Sequence, residues 1–133
     1  MIQLWSDGSC IGNPGPGGYA AILIDGSSQN EVVGSRRATT NNRMELLAII
    51  EGLRAADPRK PVTVFSDSTY ALLGERITRT RRPNSVNSDL WLELIAVTSK
   101  RTAPITWTKV KAHAGIWNNE QADLLAKEAA QVA

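Results

Sequence analysis

The sequence predicts an α/β domain built on a mixed sheet, and three observations carry that expectation. Strand-like segments open the chain, a helix-period stripe follows them, and strands then alternate with helices to the end. Ile2, Leu4 and Ser6 alternate with Gln3, Trp5 and Asp7, the period of two of a strand. The Gly- and Pro-rich stretch from Gly8 to Gly18 predicts a wide turn. Tyr19–Ile24 and Glu31–Gly34 read as two further strands, with a turn signal at Asp25-Gly26 between them. Three consecutive strands joined this way make an antiparallel meander.

The helix that follows carries Leu46, Ile49, Ile50 and Leu53 on one stripe, with Asn42 as its expected cap and Glu45 three residues on. Pro58 and Pro61 bracket its exit. Val62–Phe65 is a short apolar run, as in a strand covered on both faces. A short helix is expected from Ser68, and another over Ser88–Ser99 carrying Leu90, Trp91, Leu94 and Ile95. Ile105–Val110 supplies the fifth strand. The last helix, from near Asn118, offers Ala122, Leu125, Ala126 and Ala129 for burial.

Composition narrows the class. A chain of 133 residues, 42% hydrophobic and 21% charged, suits one globular domain over 1–133. The net charge of +2 permits nucleic acid as a partner without requiring it. Two local basic groups stand out, Arg76, Arg79, Arg81 and Arg82 in one stretch and Lys109 with Lys111 in another; each also fits a solvated surface. Cys10 is the only cysteine, which excludes an internal disulfide and points to a reducing compartment. No apolar run approaches the roughly 20 residues of a membrane span, and no basic region followed by an apolar stretch opens the chain. A cytoplasmic monomer is the expectation.

Four carboxylates sit where chemistry is expected in such a fold. Asp7 ends the first strand, Asp67 follows the fourth, Glu45 lies in the first turn of the long helix, and Asp123 in the second turn of the last. Each has a structural alternative: turn residue, capping-box member, helix cap, or partner of Lys127 at i+4. Ligand sites in open α/β sheets gather beyond the strand ends where chain order switches. Adjacent first and fourth strands would bring Asp7 and Asp67 together there. Carboxylates packed closely repel unless cations neutralise them, and a charge of −4 is cancelled by two Mg²⁺.

Longer motifs surround these residues. They are Asp7-Gly8-Ser9-Cys10 with Gly12-Asn13-Pro14-Gly15-Pro16-Gly17-Gly18, Thr39-Thr40-Asn41-Asn42-Arg43-Met44-Glu45-Leu46, and Ser66-Asp67-Ser68. Asp89-Leu90-Trp91, Lys111-Ala112-His113-Ala114-Gly115 and Asn118-Asn119-Glu120 leading to Ala122-Asp123-Leu124-Leu125-Ala126 complete them. In this order, over essentially the whole chain, they resemble the type 1 ribonucleases H. The resemblance implies a five-stranded mixed sheet, its first three strands antiparallel and its last two parallel, with helices on both faces. It also implies cleavage of the RNA strand of RNA–DNA hybrids by two-metal catalysis, leaving a 5′-phosphate and a 3′-hydroxyl. Asp7, Glu45, Asp67 and Asp123 would hold two Mg²⁺, with Mn²⁺ as an alternative ion, and Asp7 would reach both. His113 would assist proton transfer or product release from a mobile loop.

For the hybrid, the resemblance implies that Glu45 and backbone near Cys10 and Gly12 meet 2′-hydroxyls. Asn13, Asn41 and Asn42 would face the groove, and Thr40 and Asn87 would hold a phosphate of the DNA strand. Four departures from the family pattern matter. Residues 71–88 are short where many bacterial relatives carry an extra helix and a basic handle. Thr69 stands in place of a longer amide that contacts the groove. Ala38 replaces a basic residue, and Ala112 replaces a glycine beside His113. Rival readings are a DNA-directed nuclease or integrase relative, a non-catalytic hybrid-binding module, and a domain released from a reverse transcriptase.

Overall fold

The computed structural model describes residues 1–133 and bears out the expected α/β architecture. β1 (Ile2–Cys10), β2 (Gly15–Asp25) and β3 (Ser28–Thr39) form the antiparallel meander, and α1 (Asn41–Ala55) follows. Then come β4 (Val62–Ser66), a 3-10 turn over Ala71–Leu73, α2 (Gly74–Thr80), α3 (Ser88–Ser99), β5 (Ile105–Lys109) and α4 (Trp117–Gln131). The sheet order is β3-β2-β1-β4-β5, with β1/β4 and β4/β5 parallel.

Strand alternation divides the core. Ile2 and Leu4 of β1, Ala21 and Leu23 of β2, and Val62 and Val64 of β4 pack with Leu46, Ile49, Ile50 and Leu53 of α1 and Leu90, Trp91 and Leu94 of α3. On the other face Trp5 and Ile22 pack with Ala122 of α4. Phe65 stacks on Trp5 at 4.1 Å between ring centroids, 8° from parallel. Glycines let the helices come close. A Cβ on Gly8 would lie 2.4 Å from the backbone N of Glu45, and one on Gly18 would lie 2.3 Å from the carbonyl O of Ala126. Gly8→Ala is therefore expected to destabilise the fold by about 2 kcal/mol or more, because α1 backbone cannot yield as a side chain would. Chemical denaturation measures this, and a loss below about 0.5 kcal/mol would contradict it.

Several boundaries differ from expectation. β1 continues through Gly8 and Ser9 to Cys10, so Asp7 is not its last residue. β2 starts at Gly15, because Gly17 and Gly18 pair with Cys10 and Ser9; the wide turn shrinks to residues 11–14. β3 spans twelve residues where four were expected. As an edge strand it exposes Gln29, Asn30 and Glu31, whose polarity hid it. The cap of α1 is Thr40, not Asn42: its Oγ1 accepts the Arg43 N–H at 3.3 Å. Glu45 thus falls in the second turn and completes no capping box. Nor does Asp67 cap the helical segment after β4, since Ser68 Oγ accepts the Ala71 N–H at 3.0 Å. Leu125 is only half-buried.

One mismatch in register creates the site. The β1/β4 ladder ends at Trp5↔Phe65, whereas β1/β2 pairing runs on to Cys10↔Gly17. Beyond Trp5, β1 has no neighbour on the β4 side. Asp7 stands beside that notch.

Candidate active site

Three segments deliver carboxylates to the notch: Asp7 from β1, Asp67 one residue past β4, and Glu45 from α1, whose approach Gly8 permits. Their carboxylate oxygens lie within 4.8 Å of one another. Asp7 and Glu45 are 4% and 9% exposed. The Gly8 N–H donates to Asp7 Oδ1 at 2.9 Å, while Glu45 Oε2 is buried without any partner. Burial, with the Asp67 charge adding to it, pushes the Asp7 pKa up to about 7. Burial and the neighbouring Asp7 raise Glu45 well above the usual carboxylate range. A buried, partnerless acceptor among three carboxylates fits a hard divalent cation, which prefers oxygen donors and offsets their repulsion.

Asp123 adds a smaller upward push to the Asp7 pKa. It belongs to a second group: ligand atoms of His113, Glu120 and Asp123 lie within 4.8 Å of one another. The four carboxylates expected in one cluster thus divide between two triads, with Asp123 in the second. The suggested i+4 pairing is present as well, with Lys127 Nζ 3.0 Å from Asp123 Oδ2. His113 sits on the exposed loop between β5 and α4 with φ 55°, left-handed for a residue other than glycine.

At the start of α1 lies a groove of about 450 Å³ lined by Asn13, Thr40, Asn41, Asn42, Val86 and Asn87. Asn13 Oδ1 accepts the Asn41 N–H at 2.9 Å, tying the β1–β2 loop to the start of α1. Asn87, with φ 59°, is held at both ends of its amide. It donates to the Tyr70 hydroxyl at 2.9 Å and accepts from Arg43 at 3.2 Å, and Arg43 grips Asp89 through two bonds of 3.0 and 2.8 Å. Cys10 is half-buried, its thiol donating to the carbonyls of Gly15 and Thr39, and Gly12 is exposed with φ 81°.

Comparison with known proteins decides the family. The RNase H family model matches residues 1–131. The chain belongs to the ribonuclease H family. The ribonuclease H of Aeromonas salmonicida is 44% identical, over 97% of this chain and 89% of its own length. Among solved structures, the N-terminal RNase H domain of a Mycobacterium tuberculosis protein superposes with a TM-score of 0.82 at 25% identity, covering 98% of this chain and 94% of that one. LC11-RNase H1, solved with an RNA/DNA hybrid, shares the fold at 21% identity and a TM-score of 0.79, with 99% and 98% covered.

Against this ribonuclease H frame, the structure gathers five of the expected substrate residues in the groove, Asn13, Thr40, Asn41, Asn42 and Asn87. Thr69 is not among them. It lies on the β5 side, where its Oγ1 accepts from Lys109 Nζ at 2.8 Å. Sequence reasoning missed the residues that hold others in place. Buried Asn119 donates to Asp67 Oδ2 at 3.2 Å, Arg43 and Tyr70 hold Asn87, and Glu120 stands beside His113. Asn119, Glu120 and Arg43 lie inside the motif blocks, so their signal was present but carried no role. The short stretch from 71 to 88 folds as one 3-10 turn, the two-turn α2 and a loop, with Arg79 paired to Glu75 at 3.1 Å.

Proposed function

We propose that this single domain, acting as a cytoplasmic monomer, hydrolyses the RNA strand of RNA–DNA hybrids in a divalent-metal-dependent reaction. The observation that carries this reading is the trio Asp7, Glu45 and Asp67 packed within 4.8 Å, with a buried oxygen of Glu45 left without a partner. Asp7, Glu45, Asp67 and Asp123 would hold two Mg²⁺, with Asp7 reaching both. Bound there, the ions would stabilise charge on the scissile phosphate and lower the pKa of the attacking water, leaving 5′-phosphate and 3′-hydroxyl ends.

The protein's own groups do the rest. Thr40, with Asn87 in the orientation set by Arg43 and Tyr70, takes a phosphate of the DNA strand. Asn13, Asn41 and Asn42 line the groove beside it, while Glu45 and backbone near Cys10 and Gly12 meet ribose 2′-hydroxyls. Contacts of this kind position the duplex without reading bases, so cutting is largely independent of sequence. His113 moves a proton at its imidazole from the exposed loop, in an auxiliary role. That a relative of this fold was solved with an RNA/DNA hybrid supports the substrate class.

The test incubates labelled RNA–DNA hybrid, RNA–RNA and DNA–DNA duplexes with the protein and with Asp67→Asn, in Mg²⁺ and in chelator. Only the hybrid is expected to be cut, in its RNA strand, by the unaltered protein with Mg²⁺. Equal cutting of duplex DNA would replace this reading with a DNA-directed nuclease, and binding without cleavage would replace it with a non-catalytic module.

A further inference from the structure

Asp67 occupies an awkward place for a residue that must be held accurately. The β1/β4 ladder ends at Phe65 and the β4/β5 ladder at Ser66↔Lys109, so its main chain lies beyond the sheet on both sides. The adjacent backbone bond, from the Val110 N–H to the Ser66 carbonyl at 2.9 Å, stops one residue short of it. The side chain at the last rung reaches across that gap. Lys109 Nζ donates to the Asp67 carbonyl oxygen and, at 2.8 Å, to Thr69 Oγ1. Its ammonium thus closes both ends of the turn 67–69, while Asn119 from α4 donates to the Asp67 carboxylate itself.

We infer that Lys109 is a positioning residue for Asp67: it extends the β4/β5 ladder by one side-chain rung and thereby aims the carboxylate into the cluster. The inference rests on the proposed metal-dependent reading of the site. Two effects of opposite sign compete at this lysine. As a positive charge it repels an incoming cation, so that its removal would tighten metal binding. As a clamp it holds Asp67 in place, so that its removal would loosen binding. The ammonium is exposed, where water and salt screen its repulsion. The two hydrogen bonds are short-range and directional, and bonds to groups that orient metal ligands typically alter metal affinity by about tenfold or more. The clamp prevails.

Calorimetric titration of the whole protein with Mg²⁺ tests this, alongside hybrid cleavage and melting in chelator. Lys109→Met is expected to weaken Mg²⁺ binding about tenfold and to lower kcat more than it raises KM, with Lys109→Arg recovering most of the loss. Thr69→Val, which keeps the lysine and deletes one acceptor, is expected to show a smaller loss of Mg²⁺ affinity. Mg²⁺ affinity that is unchanged in both Lys109→Met and Thr69→Val, or tighter in Lys109→Met, overturns the assignment. An unaltered protein that binds Mg²⁺ without cutting hybrid overturns the functional reading alone, and one that binds no Mg²⁺ overturns both.

Discussion

Asp7→Asn is expected to abolish Mg²⁺-dependent cleavage of an RNA–DNA hybrid, lowering kcat/KM by at least about a thousandfold while the protein stays folded. Asp7 is the most buried carboxylate of its triad, 4% exposed and within 4.8 Å of Glu45 and Asp67. Its loss removes a charged oxygen donor from the centre of that triad. A thousandfold corresponds to about 4 kcal/mol of transition-state stabilisation, within reach of one preorganised electrostatic group. The fold should survive because an asparagine oxygen can still accept the Gly8 N–H that Asp7 Oδ1 accepts at 2.9 Å. Steady-state cleavage of a labelled hybrid, with circular dichroism to establish folding, measures the effect. A folded variant within about tenfold of the unaltered protein would exclude Asp7 from the chemistry.

The same substitution is expected to stabilise the protein when no metal is present. Asp7 has a folded-state pKa of about 7 against an ordinary value of 3.8, so across that window the native state binds more protons than the unfolded chain. Stability of the metal-free protein must then fall as pH rises from about 4 to about 7, with the full penalty present above. Glu45, also raised, acts in the same sense. For Asp7 the penalty is roughly 2–4 kcal/mol. In chelator at about pH 8, Asp7→Asn should melt higher by roughly 5–10 °C, with a gap that closes toward about pH 4. Saturating Mg²⁺ should raise the melting temperature of the unaltered protein more than that of the variant. Equal melting curves at that alkaline pH in chelator would mean that the cluster is not under electrostatic strain.

Legibility differed among elements for physical reasons. α1 was readable because its stripe of Leu46, Ile49, Ile50 and Leu53 faces the sheet and repeats at helical spacing. α3 was readable likewise. β3 was not, because an edge strand can satisfy its outer face with water and so carries polar residues such as Gln29 and Asn30. Gly17 and Gly18 read as turn formers, yet they are strand positions kept small because the side chains of Thr39 and Met44 press on the first and the backbone of α4 on the second. The cap of α1 was misplaced by two residues because Thr40 and Asn42 are both competent caps, and only the backbone path from β3 chooses between them.

By itself the sequence determined which residue types reach the site and the family to which their order belongs. Asp7, Glu45, Asp67, Asp123 and His113 could all be named as candidates, because each sits within a local motif whose spacing survives without reference to any other. Tertiary structure alone decided how those motifs meet. The early end of the β1/β4 ladder opens the notch, the bare Gly8 lets Glu45 descend into it, and Lys109, Asn119 and Arg43 hold in place residues from distant segments. Contacts between segments remote in the chain leave no period in a sequence. They follow from strand register and helix approach, which the chain acquires only on folding.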